Sequence, residues 1–118
     1  MEFRCPDGTC NPYLAMAAQL LAGLDGIQYK IDPSDHGFGP FDFNVFSAPE
    51  AEREKIKSAP ASLEEALRAL DKDQQFLLPG KVFPEDFVSS WVAYKMEHDV
   101  WPIQRRTHPY EVDLYYDV

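Results

Sequence analysis

The sequence predicts a mainly α chain with a short N-terminal strand and an extended C-terminal tail. Three patterns carry this reading. Asn11-Pro12 opens a run of apolar and small residues that reaches Leu24. Ser62-Leu63-Glu64-Glu65 is a capping box, with Leu63, Ala66, Leu67 and Leu70 at helical spacing. At the end of the chain, Tyr110, Val112, Leu114 and Tyr116 alternate with Glu111, Asp113, Tyr115 and Asp117, the period of an extended segment.

Residues 1–5 read as the end of a strand. Alternate residues of a strand share a face, so Glu2 and Arg4 would project together. Asn11 is a good N-cap and Pro12 suits a first helical turn, so a helix is expected over 11–31. Its side chains are apolar or small on nearly every face, which predicts burial all round. The rest of a 118-residue chain can hardly cover such a helix, so further protein is expected around it. Residues 32–61 form a long connector containing Pro33, Pro40, Pro49 and Pro60, with a short helical stretch at Glu50–Lys57. So long a loop is usually functional or docked, and Phe38, Phe41, Phe43 and Phe46 would otherwise be exposed.

Helices are expected across 62–101. The capping box opens the first, Asp73 can cap a short one over Gln74–Leu78, and Pro79-Gly80 stops it. Pro84-Glu85-Asp86 opens the next with acids at its positive end. Phe87, Val88, Trp91, Val92 and Lys95 line one stripe, and Pro102 should stop the helix before it. The tail, 107–118, closes the chain.

Composition narrows the function. The net charge of −9 repels nucleic acid, and basic residues cluster only at Lys55/Lys57 and Arg105-Arg106. The longest charge-free apolar stretch, Pro12 to Leu24, is short of the roughly 20 residues that span a bilayer. No basic-then-apolar leader precedes the first motif, so a soluble, cytoplasmic chain is expected. Cys5 and Cys10 match neither a Cys-x-x-Cys pair nor a zinc knuckle and read as reduced thiols packed near a helix start. His36, His98 and His108 show no metal spacing.

The words "EFRCPDGTCNPYLA", "AGLDGI", "SLEEAL" and "HPYEVDLYYDV" stand here in one order and at one spacing. Together they closely resemble the C-terminal part of type I glutamine synthetase, over nearly the whole chain. The resemblance implies that residues 1–118 are a single partial domain, the helical C-terminal portion of an α+β catalytic domain. It implies a parent enzyme that makes glutamine from glutamate, ammonia and ATP through a γ-glutamyl phosphate. It implies that Glu2 is a ligand of the active-site Mg²⁺ or Mn²⁺, and that Arg4 contacts substrate glutamate and the phosphoryl group in transit. The chemistry suits both assignments: hard cations want oxygen ligands, and a guanidinium fork grips carboxylate or phosphate oxygens in pairs. On the residues alone, Glu2 and Arg4 would be a solvated surface pair, common and weak.

The family supplies its other metal ligands and its nucleotide-binding residues from earlier in its chain, so the isolated segment is expected to be inactive. The tail 107–118 is expected at a subunit interface of a homo-oligomer of two stacked rings. "FNVFSAPEAER" lines up with the region where some bacterial members carry a tyrosine that is adenylylated; Phe46 has no hydroxyl to modify. Two other readings compete. A helical interaction module could have kept the packing and lost the catalysis, and an acidic metal-buffering domain has only the net charge behind it.

Overall fold

The computed structural model describes residue 3 and residues 5–117. Among these the chain is helical and contains no strand, so the mainly α expectation holds. The expected strand falls largely on residues 1, 2 and 4, outside the described residues; Phe3 and Cys5 are not in a ladder. The chain divides into two units, residues 1–59 and 60–118.

In the first unit, α1 spans Pro12–Tyr29. The Asn11 side chain accepts from the N–H groups of Tyr13 and Leu14, at 3.0 and 3.3 Å, which satisfies two of the orphan donors of the first turn. At the other end Lys30 adopts a left-handed conformation (φ 52°), and the Ile31 N–H returns to the Gly26 carbonyl at 2.9 Å. That is a Schellman closure made without glycine. Burial all round is not what this chain provides. No α1 residue is buried, and Tyr13 and Leu20 are 79% and 65% exposed. Leu14, Ala17, Ala18 and Leu21 are half-covered. The connector that follows does not cover it: Phe38, Phe41, Phe43 and Phe46 are themselves exposed.

That connector is built from local turns. The Asp32 carboxylate accepts the Ser34 N–H, and Asn44 caps a 3-10 turn at Val45–Ser47. A short helix, α2, spans Glu50–Arg53, ending earlier than the Lys57 expected. Phe41 and Phe43 meet edge to face at 5.7 Å, and the Lys57 ammonium lies 4.6 Å from the Phe38 ring centre. Phe46 is 92% exposed.

The second unit holds the buried core: Leu67, Leu77, Phe83, Val88 and Val100. Helix α3, Leu63–Lys72, starts at Ser62, whose hydroxyl accepts the Glu65 N–H at 3.1 Å. The Glu65 carboxylate reaches back to the Ala61 N–H at 2.9 Å, one residue before the position a capping box ordinarily serves. Leu67 is the buried residue of its apolar stripe. A 3-10 turn, Gln75–Leu77, follows; its cap position is Gln74 rather than Asp73, and no side chain caps it. Gly80 and Lys81 both have positive φ, and this reversal leads into α4, Glu85–Lys95.

Pro102 does not stop the helix. A π-helical turn, Met96–Val100, intervenes, in which the Trp101 N–H donates to the carbonyl of Met96, five residues back. Helix α5, Trp101–Gln104, then carries Pro102 in its first turn. The proline has no N–H to lose there, and the widened turn shifts the register around its ring. Helix α3 packs against α4 and the π turn, burying Val88 and Val100 with Leu67.

The tail is helical, not extended. Helix α6 spans Pro109–Tyr115, with Pro109 in its first turn and His108 as its cap. An extended segment needs a partner strand for its hydrogen bonds, whereas a helix satisfies them internally. With a cap and a first-turn proline supplied locally, the helix wins over the period-two pattern.

Candidate functional site

Glu2 and Arg4, the two residues expected to meet metal and substrate, lie outside the described residues. What the structure describes is the segment that joins them to α1. The Asp7 carboxylate accepts the Thr9 N–H at 2.8 Å and the Thr9 hydroxyl at 2.6 Å. The Cys10 N–H donates to the Asp7 carbonyl at 3.3 Å. These bonds, the Thr9 hydroxyl first, hold the Asp7 carboxyl below its usual range. One residue after Cys10, the Asn11 cap starts the helix. Side-chain bonding therefore fixes residues 7–14 locally, directly after the two predicted site residues.

Both thiols in this segment are free and exposed, so they are not packed as expected. Phe3 is also exposed.

Several other ionisable groups make local side-chain contacts. Glu64 accepts from Arg68 at 2.6 Å and from Gln104 at 2.6 Å, and the Arg68 bond, then the Gln104 bond, lowers its carboxyl. Asp32 is lowered by its bonds to Ser34. The Lys95 ammonium lies 2.5 Å from Asp99 and 5.2 Å from the Trp91 ring centre. The His98 ring stacks on Tyr94 at 4.2 Å, with Nδ1 3.0 Å from the Tyr94 carbonyl. His108 caps α6, and His36 sits in the turn after Asp32. Among the described residues no three His, Cys, Asp or Glu side chains converge on a possible metal position. Among them, too, no helix is long and apolar enough to cross a membrane.

Two features escaped the sequence reading. Phe83, Phe87, Trp91, Tyr94 and His98 form a continuous ladder of rings with centres 6.1, 6.2, 6.3 and 4.2 Å apart. Its spacing of four, four, three and four is visible in the sequence as one helical edge. The Glu64–Gln104 bond spans 40 residues and has no local signal.

Comparison with known proteins bears on the family of the chain. The family described as glutamine synthetase, catalytic domain, matches residues 1–115. Glutamine synthetase of Nostoc sp. (strain PCC 7120) is 50% identical over all 118 residues. The glutamine synthetases of Mycolicibacterium smegmatis and Streptomyces viridochromogenes are 48% and 44% identical over the same span. In each case the whole of this chain is covered but only 24% of the relative. The chain thus spans about a quarter of the length of the curated relatives it matches.

Proposed function

The chain belongs to the glutamine synthetase catalytic-domain family and corresponds to the C-terminal part of those enzymes, and we propose that it serves a whole protein that is an ATP-dependent glutamate–ammonia ligase. The observation that carries this reading is the unbroken match, 115 of 118 residues to the family and identity along the full chain to several of its members.

In this reading the glutamate side-chain carboxylate attacks the terminal phosphorus of ATP, ADP leaves, and ammonia then displaces phosphate from γ-glutamyl phosphate. Both steps move negative charge among oxygens, so the protein must supply fixed positive charge and hard ligands. Glu2 would provide one carboxylate for Mg²⁺ or Mn²⁺. Such a cation, when bound, neutralises phosphoryl oxygens and orients them. Arg4 would orient the substrate carboxylate and balance charge on the phosphoryl group as it transfers. One carboxylate is not a magnesium site, so the other ligands must come from the remaining three quarters of the enzyme. The 118-residue chain by itself should therefore form no glutamine from glutamate, ammonia and ATP with either metal.

The tail supports a further part of the proposal. Tyr110, Val112, Leu114, Tyr115 and Tyr116 are all exposed. Val112 and Leu114, each about half exposed, would gain roughly half of the 1.5–3 kcal/mol of full burial if covered. In a cytoplasmic homo-oligomer of two stacked rings, residues 107–118 would lie at a subunit interface. Phe46, without a hydroxyl, leaves no acceptor for adenylylation at that position.

The test is kinetic. In the full-length enzyme carrying this segment, Glu2→Ala should weaken metal-dependent turnover and Arg4→Ala should damage glutamate use. Losing transition-state interactions should lower kcat and kcat/KM together, on the order of 10²–10³-fold for a charge-stabilising group. Wild-type kinetics in both variants would overturn the two assignments. The competing reading, a non-catalytic helical module, draws support from the second unit's own buried core. An upstream reading frame without nucleotide and metal motifs would favour it.

A further inference from the structure

Burial is divided unevenly between the two units. Leu67, Leu77, Phe83, Val88 and Val100 all lie in residues 60–118, and among the described residues of 1–59 no side chain is buried. Within the second unit the buried side chains come one from each successive segment. Leu67 belongs to α3, Leu77 to the 3-10 turn, Phe83 to the reversal before α4, Val88 to α4 and Val100 to the π turn. Helix α5 buries none, yet it is tied back to the start of the unit. The Gln104 side chain donates to the Glu64 carboxylate of α3 at 2.6 Å, across 40 residues of sequence.

We propose that residues 60–118 are a self-folding unit, whose cooperative structure forms whether or not residues 1–59 are ordered. Removal of apolar surface from water is the dominant favourable term in folding, and here it is concentrated in one unit. Segments that each bury one side chain against the others lose cover together when any one leaves, which makes the set cooperative. Ordering α1 adds its own hydrogen bonds and half-covered side chains but supplies no member of that core. Helix α6 also buries nothing, so the cooperative part runs from Ser62 to Gln104 and the tail stands outside it. In any longer protein that carries the segment, this part would meet its neighbours as an already formed body. The inference does not rest on the ligase reading, which concerns Glu2 and Arg4.

Two measurements on the full 118-residue chain test it. Ala18→Pro breaks α1 in its middle, because proline removes an amide donor and clashes with the preceding turn. Circular dichroism should show that helix lost. The urea midpoint read by the fluorescence of Trp91 and Trp101 should stay within about 0.3 M of wild type. Leu77→Ala, in the core, should lower the same midpoint by about 2 M or more. The second measurement needs no variant. Brief trypsin treatment should cut after Lys55 and Lys57 at least roughly tenfold faster than after Arg68 or Lys95, since the latter two bonds open only when the unit unfolds. The product should begin at Ser58 and keep its tryptophan fluorescence. An Ala18→Pro midpoint lowered as far as that of Leu77→Ala would overturn the proposal. So would a wild-type chain without a cooperative tryptophan transition, or cleavage at Arg68 and Lys95 as fast as at Lys57.

Discussion

Removing the Leu67 side chain should unfold the second unit while leaving the first largely unaffected. Leu67 is 4% exposed, on the inner stripe of α3, and the core around it consists of only four other buried side chains. Transfer of a leucine side chain from water is worth about 1.5–3 kcal/mol, and the cavity left behind raises Leu→Ala to about 2–5 kcal/mol. Residues 60–118 form a unit of roughly 60 residues, for which total stability is on the order of 3–9 kcal/mol. At the middle of both ranges the substitution therefore removes about half of what holds the unit together. Urea unfolding followed by tryptophan fluorescence reports this unit alone, because Trp91 and Trp101 are the chain's only tryptophans. With a slope of about 1 kcal/mol/M, the midpoint should fall by about 2 M or more, or the unit should be unfolded without urea. Ile103→Ala, at a 72% exposed position of the same unit, should stay within about 0.5 kcal/mol of wild type. A Leu67→Ala midpoint within 0.5 M of wild type (~0.5 kcal/mol on that slope), or an equal loss in Ile103→Ala, would refute the assignment of the core.

Other outcomes follow from the same structure. Ser62→Ala should cost about 1 kcal/mol in the urea experiment, because the Glu65 N–H loses its acceptor. Glu64 is held below the ordinary 4.5 by Arg68 and then Gln104, so its contribution is present above that value and lost as pH falls below it; an NMR titration should show the low midpoint rise in Arg68→Ala. Deleting residues 107–118 from the full-length enzyme should reduce the oligomeric mass seen by light scattering, and an unchanged mass would leave the tail without an assembly role.

Legibility in the sequence tracked how local each determinant is. The start of α1 was readable because Asn11 and Pro12 act within a few residues. The α3 start was readable for the same reason, down to the Ser62–Glu65 bond. The stripe on α4 was readable from its period. What escaped involved a choice between two locally permitted states. Pro102 could end a helix or enter a new first turn, and the π turn at Met96–Val100 decided it. The tail satisfies both a period-two strand and a capped helix, and the absence of a partner strand among the described residues decided that. The sequence of α1 reads as core because its side chains are apolar or small on nearly every face, while its surface here stands exposed. As for the site, the assignment of Glu2 and Arg4 rests on the neighbouring motifs, because one carboxylate and one guanidinium carry no specificity by themselves.

If this chain supplies Glu2 and Arg4 to a glutamate–ammonia ligase, turnover must depend on those two side chains. A hybrid enzyme, in which this chain replaces the matching segment of the Nostoc glutamine synthetase with which it is 50% identical, measures that dependence. The measurement is glutamine formed from glutamate, ammonia and ATP with Mg²⁺ or Mn²⁺. The hybrid should be active, with turnover falling by about 10²-fold or more on Glu2→Ala or Arg4→Ala. A hybrid whose turnover is the same with and without those side chains would contradict it.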